Sequence, residues 1–442
     1  MVTDINEDTI KVVKNPVFKE YASFYLDISK NFIEQIEQYG ISFDKNPDTN
    51  IETKEVLNRI KQKQAIFRND DKSIYNNFIS PACEACAKGI GSVTTYISLM
   101  CHRDCYYCFN ENQEDYELFN NSKTDWKSQL KDIMRKEKDI NYIALSGGEP
   151  LLHKEDTFQY FKYIKNHMKN VHTRLYTSGD LLDEKLAKKL GESGLKEIRF
   201  SIKLEDSLEL HKTVLKKIAL ARQYIPKVVV EMPVIPGTFE EMKQLIFDLE
   251  KLKVDGINLL EFCFPYNNVE EYVKRGFKLK YPPFKVLYNY WYSGGLAVCG
   301  SELLSLKLLE FILDNDLKLG AHYCSLENKH TGQIYKQNTI SKATWKNVIF
   351  SNRDYYLKTA KVFGKDISKA ISVFNKNGIE DYEENKDYGF LQFTPEKIKY
   401  LIDTEIEVAI SYNVTEERDN MTYLRELKVE YTTPETFSLK DI

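Results

Sequence analysis

Between Val93 and Phe262 the chain alternates between two hydrophobic rhythms. Short apolar and β-branched runs appear at VTTYISLM (Val93–Met100), NYIALS (Asn141–Ser146), HTRLYTS (His172–Ser178), EIRFSIK (Glu197–Lys203), KVVVEMPV (Lys227–Val234) and GINLLEF (Gly256–Phe262). The polar stretches between them repeat apolar residues three or four positions apart, which predicts helices near 124–138, 154–170, 182–192, 205–223 and 238–252. Strands alternating with helices form repeated βαβ units, and such units build a parallel sheet with right-handed crossovers. Six units fall short of the eight that close a barrel. The expected fold is therefore α/β, a partial (β/α)6 TIM-like barrel. In either an open or a closed sheet of this kind, chemistry gathers at the C-terminal strand ends.

The flanks read differently. Residues 1–80 are polar and helical; Phe24, Ile28, Phe32 and Ile36 mark one face, and NPDT at Asn46–Thr49 breaks the pattern. This segment predicts an N-terminal helical extension with a packing or lid role. Residues 81–265 form the expected barrel core. Residues 266–442 form a C-terminal extension, with helical pieces around 300–318 and 395–402. Strand-like runs at Ile406–Val414 and Leu424–Thr433 give that extension an α+β character. The aromatic-rich stretch Tyr281–Tyr292 suits either core packing or a cover over a site.

Charge narrows the function. The net charge is −4, from 62 basic against 66 acidic residues, with no basic block, so no nucleic-acid partner is expected. No apolar run approaches the roughly 20 residues of a membrane span. The start, MVTDINEDTIKVV, is charged and lacks the apolar core of a secretory signal. A cytoplasmic protein with no membrane partner is the expectation, and in that compartment cysteines stay reduced.

That matters because five of the eight cysteines crowd into Cys83–Cys108. The run CHRDCYYCFN places Cys101, Cys105 and Cys108 directly after the first strand. Structural zinc asks for four ligands, usually as paired CxxC units. Three thiolates at CxxxCxxC spacing instead suit three irons of a cubane, with the fourth iron left open. Cys83 and Cys86, in PACEACAKG, form a separate CxxC knuckle. With Cys299 and Cys324 they compose a candidate four-cysteine second site for iron, zinc or an auxiliary cluster. That site would tie the segment before the barrel to the segment after it.

CxxxCxxC with Tyr107 before the last cysteine resembles the signature of the radical S-adenosylmethionine (SAM) superfamily. One βα unit later, Ser146-Gly147-Gly148-Glu149-Pro150 resembles that family's GGE motif. The resemblance covers roughly residues 93–265. It implies a [4Fe–4S] cluster on Cys101, Cys105 and Cys108, with SAM chelated at the open iron and cleaved reductively to a hydrogen-abstracting 5′-deoxyadenosyl radical. It further implies an electron donor such as flavodoxin or ferredoxin. Tyr107, Ser146, Gly147, Gly148, Glu149 and Pro150 are then expected beside the cofactor, the glycines letting backbone approach it closely. Thr177 and Ser178 at the third strand end, and Ser201 and Lys203 at the fourth, are expected to meet polar groups of SAM. The VIPG run (Val234–Gly237) ends the fifth strand where adenine is often held.

Cys263, in LEFCFP at the end of the sixth strand, is the candidate catalytic hydrogen-atom donor, since an S–H bond is weak enough to quench a carbon radical. Asn258 and Glu261 on the same strand are candidate substrate contacts. The run from PACEACAKG through the three cysteines, about thirty residues, resembles radical SAM enzymes that modify ribosomally made peptides, including epimerases. The chain departs from the subgroup with seven C-terminal cysteines and lacks a D-x-H-x-x-G cobalamin signature. The leading expectation is hydrogen abstraction from a peptide or protein, ending in epimerisation or a related modification. The alternatives are radical tailoring of a small molecule, and a non-catalytic zinc or iron scaffold.

Overall fold

The computed structural model describes residues 1–137, 139–288, 295–341 and 345–442. Tyr290–Tyr292, the end of the aromatic-rich stretch, lie outside them. The chain folds as two compact units. One takes residues 41–283 and 290–330; the other takes residues 1–40, 284–289 and 331–442. Residues 1–80, expected as one extension, are thus divided at Gly40, and the expected C-terminal extension is divided too.

The first unit is built on a nine-stranded sheet. Its strands are β1 (Ile66–Arg68), β2 (Ser73–Asn76), β3 (Ser92–Tyr96), β4 (Tyr142–Ser146), β5 (His172–Thr177), β6 (Glu197–Phe200), β7 (Lys227–Val234), β8 (Gly256–Glu261) and β9 (Gly320–Cys324). The spatial order is β1-β2-β9-β8-β7-β6-β5-β4-β3, an open path whose end strands do not pair. Strands β3 to β9 run parallel, and the hairpin β1–β2 adds antiparallel against β9. The six expected strands are all present, in a partial barrel. The seventh parallel strand and the hairpin were not expected.

Helices α1 (Trp126–Lys136), α2 (Lys154–His167), α3 (Glu184–Glu192), α4 (Leu208–Ala221), α5 (Phe239–Lys251) and α6 (Ser301–Asp314) make the crossovers. Alternation along each strand separates two faces. Outward residues such as Ile143, Leu145, Leu175, Ile198, Phe200, Val228, Val230, Ile257 and Leu259 share one apolar core with Leu130, Phe161, Leu190, Ile218, Ile246 and Leu309 of the helices. Each side chain so buried contributes about 2 kcal/mol before the entropy of ordering it, which makes the outer face the main apolar core of the unit.

The inner face is polar. Arg199, 2% exposed, is clamped by Glu197 on its own strand and Glu231 on β7. Its guanidinium also donates to Tyr176 Oη at 3.1 Å and to Cys83 Sγ at 3.3 Å. Asn258 Nδ2 donates to Glu231 at 2.6 Å, and its Oδ1 meets His322 Nδ1 at 3.1 Å. Burial pushes the His322 imidazole down to about 3, so it stays neutral. The Glu197 carboxyl loses water, which opposes its charge. Arg199 overrides that loss, helped by hydrogen bonds from His172 and Ser80, and holds the carboxyl at about 2.

The second unit is an antiparallel sheet. Thr3–Asp4 pairs with Met421–Thr432, which pairs with Val408–Arg418, then Leu357–Phe363, Phe390–Phe393 and Glu383–Asn385; Ile349–Phe350 adds to Leu357–Phe363. The helix Pro16–Glu37 starts at Asn15, whose side chain accepts from Val17 and Phe18 N–H. Phe18 then stacks on Phe363 with ring centroids 4.9 Å apart. The buried face of this helix carries Phe18, Ala22 and Ile36. Phe24 and Ile28, expected on the packed face, are 63% and 41% exposed.

Candidate active site

Cys101, Cys105 and Cys108 lie on the loop that follows β3, with Cys101 exposed and the other two half-buried. They are mutual electrostatic neighbours. Burial first raises both the Cys101 and Cys108 thiols; the charges of Glu149 and then Cys105 add at Cys101, and those of Cys105 and Cys101 add at Cys108, which reaches about 11. Lys203, three residues past β6, opposes that rise at Cys101 with its positive charge.

The loop is pinned from several directions. Arg103 reaches Asp206 at 3.1 Å and Asp180 at 3.2 Å, and His102 Nε2 lies 2.8 Å from Asp180. Asn268 Nδ2 donates to Tyr106 O at 3.2 Å, Asn267 Nδ2 to Cys108 O at 3.4 Å, and Asn112 Nδ2 to Pro265 O at 2.6 Å. Phe262 sets its ring edge-on to Tyr107 at 5.7 Å and to Tyr106 at 6.2 Å. The segment 262–268, just past β8, therefore grips the cysteine loop. None of Arg103, Asn110, Asn112, Asn267 or Asn268 was singled out from sequence. The only available signal was the excess of Asn around the loop and after the sixth strand.

The GGEP segment is the loop's floor. A Cβ on Gly148 would sit 1.9 Å from Met100 O, and one on Gly147 2.4 Å from Ser98 O. Gly147 also takes φ +109, which side-chain-bearing residues avoid. The glycines are thus required where backbone crosses backbone next to Cys101. Asn110 Nδ2 donates to Gly147 O at 2.8 Å, and Glu149 N–H to Met100 O at 2.7 Å.

Glu149 itself is 2% exposed and saturated by protein donors. Its Oε1 accepts from Leu151 N–H at 2.9 Å and Thr177 Oγ1 at 2.7 Å; its Oε2 accepts from Ser178 N–H and Ser178 Oγ, both at 2.7 Å. Thr177 and Ser178 were expected to meet the cofactor. In the structure their hydroxyls fix Glu149, and so lock the ends of β4 and β5 together. Ser146 ends β4, Pro150 is buried and opens a short helical turn, and Ser201 Oγ donates to Glu231 O at 3.2 Å.

Cys263 is half-buried just beyond β8, in a two-residue strand that pairs with Leu296–Ala297. Burial pushes its thiol up to about 11. Asn258 faces inward, whereas Glu261 is engaged by Lys280 at 3.4 Å and Leu326 N–H at 2.8 Å. The other cysteines do not assemble as a foursome. Cys83, Cys86 and Cys324 are electrostatic neighbours, but Cys299 donates to Asp44 Oδ2 at 3.2 Å. The expected four-cysteine site is corrected accordingly: Cys299 sits where Asp44 and Lys280 surround it.

Among the described residues no three His, Cys, Asp or Glu side chains are grouped to hold a single metal ion. A cubane asks for something else, since each thiolate binds its own iron. The donor set on the 101–108 loop fits that demand: three neighbouring thiols with an open side at Cys101 and a rigid backbone floor beneath.

A family model described as the radical SAM superfamily matches residues 95–249. A Methanocaldococcus jannaschii protein, named as a candidate glycyl-radical enzyme activating enzyme, is 28% identical over 331 residues, covering 70% of this chain and 82% of its own. A GTP 3′,8-cyclase of Aliarcobacter butzleri is 27% identical over 223 residues, 45% of this chain and 67% of its own. A solved structure of native anSMEcpe with bound S-adenosylmethionine matches 39% of this chain with TM-score 0.33 and 20% identity. The chain spans about half of that protein, 52%. Among the described residues no helix is long and apolar enough to cross a membrane. Residues 95–249, with their three-cysteine loop and GGEP floor, match the radical SAM superfamily, and the relatives named for their activity are enzymes.

Proposed function

We propose that this enzyme removes a hydrogen atom from a carbon of a peptide or protein and that the Cys263 thiol returns one, the outcome being epimerisation or a related modification. The observation that carries this reading is the place and state of Cys263. It follows Phe262, whose ring packs on Tyr107 inside the cysteine loop. Burial keeps its sulfur as S–H at neutral pH, and only S–H can give up a hydrogen atom. When bound, the cluster would supply one electron to SAM on Cys101, Cys105 and Cys108, generating the hydrogen-abstracting species.

The chain's own residues then have separable tasks. Glu149, held by Thr177 and Ser178, fixes the GGEP backbone. Lys203 lies within electrostatic reach of Cys101 and favours its thiolate. Tyr106, Tyr107, Phe262 and Tyr272 form an aromatic wall that excludes water near Cys263. The jannaschii relative's name specifies a protein as the thing acted upon, which supports a peptide or protein substrate here. The cyclase relative favours a second reading, small-molecule tailoring, over the shorter stretch it matches. The test is turnover of candidate peptides in D2O with SAM and dithionite. Deuterium at one carbon of the recovered peptide supports the reading; 5′-deoxyadenosine released with no deuterated peptide contradicts it.

A further inference from the structure

Arg103 lies inside the cysteine loop, two residues past Cys101, and makes two kinds of contact. Its backbone N–H donates to the Cys101 sulfur at 3.4 Å. Its guanidinium spans two strand-end loops. Nη1 reaches both oxygens of Asp206, past β6, at 3.1 and 3.2 Å, and Nη2 reaches Asp180, past β5, at 3.2 Å. The side chains of Arg103, Asp180 and Asp206 are 11%, 16% and 15% exposed, so salt and water screen these pairs weakly. Asp180 is shared: His102 Nε2 lies 2.8 Å and Ser178 Oγ 2.6 Å from its two oxygens. The stretch from Cys101 to Cys105 forms no helix or strand. Side-chain anchors, and not a backbone ladder, therefore set the direction of the Arg103 N–H.

We propose that Arg103 is a positioning residue for the reduction step. Braced by Asp180 and Asp206, it aims its own N–H at the Cys101 sulfur and so raises the reduction potential of the cluster that the three thiols hold. A hydrogen bond to a ligating sulfur favours the form with more negative charge, which is the reduced one. This role rests on the three thiols holding a cluster and is independent of the peptide substrate. Two ways of acting are separable here. A guanidinium that works through its charge needs no brace, whereas a positioned N–H is lost when either end of the brace is cut.

The test is potentiometric titration of the cluster-loaded chain without SAM, at matched iron and sulfide content. The reduced cluster is followed by electron paramagnetic resonance. Arg103→Lys keeps the positive charge but replaces the planar fork by one point donor, so it cannot brace both acids. Asp206→Asn removes a negative charge and leaves the shared Asp180 in place. Charge alone would hold Arg103→Lys at the wild-type potential and raise that of Asp206→Asn, since losing an anion favours reduction. Positioning lowers both. We expect each variant to shift the reduction equilibrium roughly tenfold toward the oxidised cluster, about 59 mV for one electron. A lower potential in both supports the proposal; a potential at or above the wild-type value in either overturns it. If one variant takes up no cluster, the other decides. If both fail to load, the brace serves assembly and the proposal falls. A wild-type chain that takes up no cluster overturns it together with the cluster assignment. Peptide deuteration is measured separately, so failure of either experiment leaves the other readable.

Discussion

Adding a single methyl group at Gly148 tests whether the GGEP segment works as the floor of the cysteine loop. Its Cβ would lie 1.9 Å from Met100 O and 2.4 Å from Leu99 O. Ordinary carbon–oxygen contact needs roughly 3.4 Å, so one backbone must retreat by about 1.5 Å. Both atoms are backbone, which leaves no flexible side chain to absorb the strain. The hydrogen bond from Glu149 N–H to Met100 O, 2.7 Å long, lies beside the clash and is lost with it. Overpacking at about 2 kcal/mol plus the bond at about 1 kcal/mol gives about 3 kcal/mol. In a unit of this size that lowers Tm by roughly 6–9 °C. Because Met100 precedes Cys101, the movement also reaches the first thiol, and a misplacement of about 1 Å lowers the rate by roughly a hundredfold. The assay is anaerobic reconstitution of Gly148→Ala, with iron and sulfide content, Tm and 5′-deoxyadenosine formation measured together. Wild-type cluster content, Tm and rate in this variant would refute the reasoning.

Glu149→Gln replaces one carboxylate oxygen by a donor that must face either Leu151 N–H or Ser178 N–H, so at least one charged hydrogen bond is lost; we expect about 3 kcal/mol of destabilisation by denaturant titration and weaker SAM binding by calorimetry. Glu197 is held at about 2 chiefly by Arg199 working against burial. Its depressed folded value adds about 3 kcal/mol that is present above the ordinary carboxyl value and lost as pH falls through about 2. Acid titration of stability should show that loss in the wild type, and a flatter profile in Glu197→Gln. Cys263→Ala should reduce deuterium in the recovered peptide to background, whereas Cys299→Ala, whose thiol faces Asp44, should leave it intact.

Much of the fold was legible because six strand runs carried outward apolar residues at alternate positions. Strand β9, GAHYC, escaped notice: it is five residues long, and its inner positions are Gly320, His322 and Cys324. The hairpin β1–β2 was too short and polar to read. The packing of Phe18 on Phe363 joins residues far apart in sequence, and no local pattern announces such a contact. That is also why the helix at Pro16–Glu37 was anticipated while its buried face was misassigned. At the site, three-cysteine spacing and GGEP marked two segments that the structure brings side by side. What those residues touch was not readable, since Glu149 with Thr177 and Ser178, and Gly148 with Met100, meet only once parallel strands lie side by side.

The most direct measurement is product analysis after anaerobic iron–sulfide reconstitution and incubation with SAM and dithionite. The wild-type chain should yield 5′-deoxyadenosine and methionine, and Cys105→Ala neither above background, if the three thiols hold the cluster. Equal product from both proteins, or none from a wild-type chain that has taken up its iron and sulfide, would contradict it.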